Sequence, residues 1–107
     1  MDVLLSIEND ILAFIQNGYS HKKYLLFGPL VMVTAETDLR HDLKIIYEDA
    51  EELFAHYFHT WGVASAQFRI DRYFNPEYLG SPEPETPLEN ITVNMLIESA
   101  KAGRWLY

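Results

Sequence analysis

The chain has no cysteine. That removes disulfides, thiol catalysis and zinc-thiolate centres together, and with them the usual reinforcement of a small secreted domain. No apolar run approaches the roughly 20 residues of a membrane-spanning helix. Met1-Asp2-Val3-Leu4-Leu5 puts an acid where a secretory leader needs positive charge, and its apolar run is short. Bases are scarce as well: eight Lys and Arg face sixteen acids, a formal net charge of −8. Phosphate backbones and anionic bilayers repel such a chain, so neither nucleic acid nor membrane is expected as a direct partner. The expectation is a cytoplasmic protein whose partner, if it has one, is a basic protein.

What is present suffices for one domain. At 107 residues the chain has the usual length of a single unit spanning 1–107. Hydrophobic residues at 49% and aromatics at 14% exceed what a disordered chain carries, so a true core is expected. The acids are unevenly spread. Between Thr34 and His56 lie Glu36, Asp38, Asp42, Glu48, Asp49, Glu51 and Glu52, opposed by Arg40 and Lys44.

Three helices are legible. Val3, Leu4, Ile7, Ile11, Leu12, Phe14 and Ile15 recur at helical spacing, with Asp2 as cap and Gly18 as stop. Ala50, Leu53, Phe54, Tyr57, Phe58 and Trp61 paint one broad face of a second helix that Gly62 ends. Glu48, Asp49, Glu51 and Glu52 crowd its first turns, where the helix dipole favours negative charge. A third helix opens at Thr92, buries Val93, Leu96, Ile97 and Ala100, and closes at Gly103. Between the first two, Tyr19–Lys23 reads as a polar turn. Residues 24–33 read as buried extended chain or short helical pieces, because Gly28-Pro29 interrupts any helix. Val63, Phe68 and Ile70 suggest further extended chain. Asn75–Pro87 holds four of the five prolines and reads as a loop. Arg104-Trp105-Leu106-Tyr107 should pack back on the core.

The middle of the chain resembles an acyl carrier protein. Asp42-Leu43 matches the end of the carrier loop, Glu52-Leu53 its acidic helix, and Thr92-Val93 the opening of its last helix. The resemblance implies a mainly α fold, a compact acyl-carrier-like bundle of three principal helices with short extended segments and a long proline-rich loop. It also places Tyr47 where a carrier has its phosphopantetheine serine, with Ile46 and Glu48 in place of the flanking Asp and Leu. None of Ser6, Ser20, Ser65, Ser81 or Ser99 stands in an Asp-Ser-Leu context, so no prosthetic group is expected. A longer resemblance runs through Asp49-Ala50-Glu51-Glu52-Leu53, Tyr73-Phe74-x-Pro76-Glu77 and Met95-Leu96-Ile97-Glu98-x-Ala100-Lys101-Ala102-Gly103-Arg104-Trp105. There the chain resembles domain of unknown function family 1493, small bacterial proteins described as cytoplasmic. That family implies no activity.

Catalytic and metal readings find little support. His56 and His59 lie near Glu52, but two nitrogens and a carboxylate beside an apolar helix face are common without a metal. Asp71, Arg72 and Glu77 read as loop ion pairs rather than an acid–base site. No nucleophile–histidine pair or glycine-rich phosphate loop accompanies them. The expectation is a non-enzyme without cofactor or metal. Glu48, Asp49, Glu51 and Glu52, with Tyr47 as an aromatic anchor, form the candidate partner-binding surface. Two other functions fit the same sequence: a carrier modified at an unexpected serine, and a small acidic antagonist such as an immunity protein or a nucleic-acid mimic.

Overall fold

Ala50, Leu53, Phe54 and Tyr57 return to one face every three or four residues, and all four are buried in helix α2, Tyr47–Trp61. Gly62 ends α2 in left-handed backbone at φ 61°, and the N–H groups of Gly62 and Val63 both donate to the Phe58 carbonyl. A side chain would be strained in that conformation, so glycine suits the stop.

The computed structural model describes residues 3–20, 22–24, 27–76 and 87–107. Over these the protein is mainly helical. Helix α1 spans Val3–Tyr19, strands β1 (Lys22–Tyr24) and β2 (Phe27–Leu30) form an antiparallel hairpin, and α2 follows. A 3-10 turn at Ile70–Arg72 precedes α3, Val93–Ala102. The proposed cap Asp2 and most of the proline loop, residues 77–86, lie outside the described residues.

Three local expectations need correction. Helix α1 does not stop at Gly18 but runs through it to Tyr19. The polar turn at Tyr19–Lys23 gives way to a strand from Lys22, with Lys22 paired to Leu30 and Tyr24 to Phe27. Of the two alternatives for residues 24–33, the chain at Phe27–Leu30 is extended rather than helical, yet Leu30 and Met32 are exposed, at 52% and 75%, not buried. A two-stranded ribbon has too few neighbours to cover its apolar residues. Polar side chains in and just after α1 fasten the chain leaving that ribbon. The Gln16 amide donates to the Val31 carbonyl at 3.2 Å and accepts the Val33 N–H at 2.8 Å, while the Ser20 hydroxyl donates to Val31 at 2.6 Å.

After Gly62 the chain is not a run of extended backbone. Ala64 makes a single parallel bridge with Arg104, Phe68 donates to the Ser65 carbonyl in a turn, and Ile70 opens the 3-10 turn. Helix α3 matches its reading closely. The Thr92 hydroxyl accepts the Met95 N–H at 3.4 Å, and loop carbonyls satisfy two more first-turn donors: Thr37 takes Val93 N–H and Ala35 takes Asn94 N–H. At the other end Gly103, at φ 80°, donates to Ala100 and Arg104 donates to Ser99.

The core lies where α1, α2 and α3 meet. Ile11 and Ile15 of α1 join Leu53, Phe54 and Tyr57 of α2 and Leu96 and Ile97 of α3. The Tyr57 hydroxyl donates to the Leu96 carbonyl, and burial pushes its pKa up. Trp105, 1% exposed, packs against Phe54, Phe58, Phe68 and Tyr73 at centroid distances of 5.9, 6.4, 5.0 and 6.1 Å. Its indole N–H and the Tyr73 hydroxyl are both buried, with no hydrogen-bond partner among the described residues. Burial raises the Tyr73 pKa, and the nearby indole opposes that rise without reaching hydrogen-bond geometry. The tail thus packs on the core through Trp105, while Leu106 and Tyr107 stay partly exposed.

Burial separates two positions that periodicity treats alike. Leu53 is fully buried, whereas Phe58 is half-buried at the edge of the core. Leu53→Ala should therefore cost about 2–5 kcal/mol, with Phe58→Ala costing less than a fully buried Phe would. Urea melts of both variants check this order, and a cost for Leu53→Ala below about half a kcal/mol would mean the wrong helix face has been assigned.

Candidate functional site

The four carboxylates that open α2 look like one stripe in sequence, but the helix divides them. Residues three apart lie on the same side of a helix and adjacent residues do not. Asp49 and Glu52 accordingly face the end of α1, and Glu48 and Glu51 turn toward Tyr47. All four are exposed, and none forms an ion pair among the described residues.

Asp49 and Glu52 line a cleft of about 490 Å³. Its other walls come from Phe14, Gly18, Tyr19 and Ser20 at the end of α1, from Leu43, Lys44 and Ile45 ahead of α2, and from His56. The Phe14 ring is fixed by neighbours: edge-on contacts with Trp61 at 5.4 Å and Tyr19 at 5.6 Å, and a stacked contact with His56 at 6.4 Å. Tyr19 has its pKa raised, first by burial and then by the charges of Glu52 and Asp49. Lys44 holds left-handed backbone at φ 58°, a conformation that costs a non-glycine residue about 1–2 kcal/mol. It is how the chain turns from buried Leu43 to buried Ile45 and into α2.

On the other side Tyr47 is the first residue of α2 and is half-buried, its body packed on the core. Burial raises its pKa, and Glu51, Asp71 and Glu48 raise it further. Burial changes from residue to residue here: Ile45 is buried, Ile46 is 44% exposed, and Tyr47 lies between. Exposed Ile46 precedes Tyr47, and Glu48, Glu51 and Asp71 are the charges near its hydroxyl.

Asp38 belongs to neither surface. Counted by sequence among the acidic run, it is 8% exposed and structural. Its Oδ1 accepts the N–H groups of Arg40 and His41 at 2.9 and 2.7 Å, and its Oδ2 accepts that of Ile91 at 3.1 Å. Asp42 supports it by accepting the Asp38 N–H at 2.8 Å. Charge counting gave no hint of this, although a carboxylate followed two and three residues later by free N–H groups is a familiar turn former.

The remaining candidates fall into place as scaffold. Arg72 pairs bidentately with Glu89, at 2.7 and 3.0 Å, which holds the Glu89 carboxyl below its usual range. Glu77, the other acid considered there, lies outside the described residues. His59 is exposed at the end of α2, and His56 contributes its ring to the cleft. Among the described residues no three His, Asp or Glu side chains are placed to hold a metal ion. No described helix is long and apolar enough to cross a membrane.

The described parts of the signatures at 49–53, 73–77 and 95–105 thus form the acidic half of α2, the Tyr73-Phe74 corner and the capped end of α3 with Trp105. A family model described as Protein of unknown function (DUF1493) matches residues 4–107. The chain belongs to that family. No curated protein and no solved structure matches it.

Proposed function

We propose that this DUF1493 protein is a non-enzymatic binding or regulatory module that docks a basic partner protein through the first half of α2. The observation that carries the reading is the group of four exposed carboxylates, Glu48, Asp49, Glu51 and Glu52, without ion pairs among the described residues. An isolated exposed charge is ordinary, but four at one helix start set up a local field that steers a basic surface. The reading treats the three helices as an acyl-carrier-like core working in the cytoplasm. The position of Tyr47 at the first residue of α2 supports that likeness, since a carrier presents its serine at the start of the same helix.

Affinity capture from the native cell at low and high salt tests the docking surface. The Debye length shrinks from about 10 Å at 0.1 M to about 3 Å at 1 M salt, so a partner held by these charges should elute in between. The combined variant Glu48→Gln, Asp49→Asn, Glu51→Gln, Glu52→Gln should lose the same partner at low salt. A partner retained by this variant and at high salt would refute the proposal.

A further inference from the structure

The geometry points to the cleft between the end of α1, residues 43–45 and α2 as a receptor for an arginine side chain of the partner protein, with Asp49 and Glu52 taking its guanidinium and the Phe14 wall its aliphatic stem. This rests on the docking reading above and goes further. It names the two carboxylates of the four that make a specific contact, and the group they contact.

The cleft is open to solvent along one side and is large enough to receive a side chain. Its volume of about 490 Å³ lies within the 300–1,000 Å³ of ordinary small-ligand pockets. It can therefore hold a long side chain together with its flanking backbone. Its lining has two chemistries. Phe14, Leu43 and Ile45 are apolar, while Asp49 and Glu52 bring two negative charges on adjacent turns of one helix. An anionic guest would be repelled. A purely apolar one would desolvate two carboxylates without pairing them, which is costly. The occupant that satisfies both halves is a cation carried on an apolar stem.

Arginine suits these walls better than lysine. A guanidinium is flat, presents five donors in a rigid fork, stacks on aromatic faces and is weakly hydrated, whereas an ammonium is a strongly hydrated point charge. Two carboxylates one turn apart can share the fork's donors. Phe14, in ring contact with Trp61, Tyr19 and His56, offers the stem an apolar wall. Lys44 is the cation in the described lining, and it pairs with neither carboxylate.

The test uses the full chain, isotope-labelled for amide NMR and titrated with the capped tripeptide acetyl-Gly-Arg-Gly-amide and its lysine counterpart. Saturable shifts are expected at the amides of Gly18, Ser20, Lys44 and Ile45, with the arginine peptide binding more tightly. Asp49→Asn with Glu52→Gln should weaken binding about tenfold, the scale of one charge-assisted hydrogen bond. Glu36→Gln with Glu98→Gln, the same loss of charge outside the cleft lining and off α2, should leave it near wild type. Gly18→Leu supplies a charge-neutral block. A Cβ at Gly18 meets nothing within 4 Å, so the fold should accept the new side chain while the cleft fills. An unchanged melting temperature with lost binding is the expected pattern.

Equal binding of the two peptides would overturn the inference. So would equal losses from the two carboxylate pairs, or binding undisturbed by Gly18→Leu. Salt-sensitive capture of a partner alongside flat titrations would sink the cleft and spare the docking surface. Saturable titrations alongside salt-indifferent capture would do the reverse.

Discussion

Asp38→Ala should destabilise the protein by about 3–5 kcal/mol, because three backbone donors lose a charged acceptor at once and hydrogen bonds to charged groups contribute about 1.5–3 kcal/mol each. The Ile91 N–H is buried, so no water replaces its partner there. Those of Arg40 and His41 lie nearer the surface and recover part of their loss by hydration, which keeps the total below a simple sum. Asp38→Asn keeps the shape and one acceptor oxygen, and should cost roughly half as much. Urea denaturation of both variants reads the difference. A cost near zero for Asp38→Ala would show that the loop at residues 38–43 holds its shape without the carboxylate.

Trp105→Ala should cost a similar amount, about 3–5 kcal/mol, since it empties the centre of a ring cluster in a small core. Phe54, Phe58, Phe68 and Tyr73 all lose their common neighbour. At about 4–8 °C per kcal/mol for domains of this size, the melting temperature should fall by well over ten degrees. Removing residues 105–107 should be worse. It also deletes the Trp105 N–H bond to Ala64 at 2.9 Å and the Leu106 N–H bond to the Ser99 hydroxyl at 3.1 Å. Trp105→Phe should be mild, because it keeps most of the contact and removes an indole N–H without a partner among the described residues. Calorimetry on the three variants gives the ranking. A truncated protein that melts like the wild type would mean that the tail is not part of the core.

Periodicity made α2 and α3 legible because each buries one face and ends on a glycine that the chain needs in left-handed form. Thr92 and Gly103 bracket α3 as read, and Gly62 stops α2. The same logic misled at Gly18. That glycine sits inside the last turn of α1, and the helix runs one residue past it to Tyr19. The hairpin itself was hidden by Gly28-Pro29, which reads as a break without saying what the broken chain does. The candidate site was legible as charge but not as shape. Counting acids found Glu48, Asp49, Glu51 and Glu52, yet gave Asp38 the same weight, although its carboxylate points inward to backbone donors. The cleft left no mark in the sequence, because its walls come from three segments that meet only in the fold.

Both ends of α3 are tied to chain far upstream. Asp38 and Thr92 form a bridge at its start, and Ala64 and Arg104 form one at its finish. Neither tie is local, so the helix gains its full hydrogen bonding only after two large loops have closed, and such contacts form late and slowly. The converse holds in the native state. A helix fastened at both termini has no free end from which to fray, so its opening is coupled to that of the rest of the molecule. Helix α3 is therefore a clasp that closes the chain on itself, opening only with the rest of the molecule.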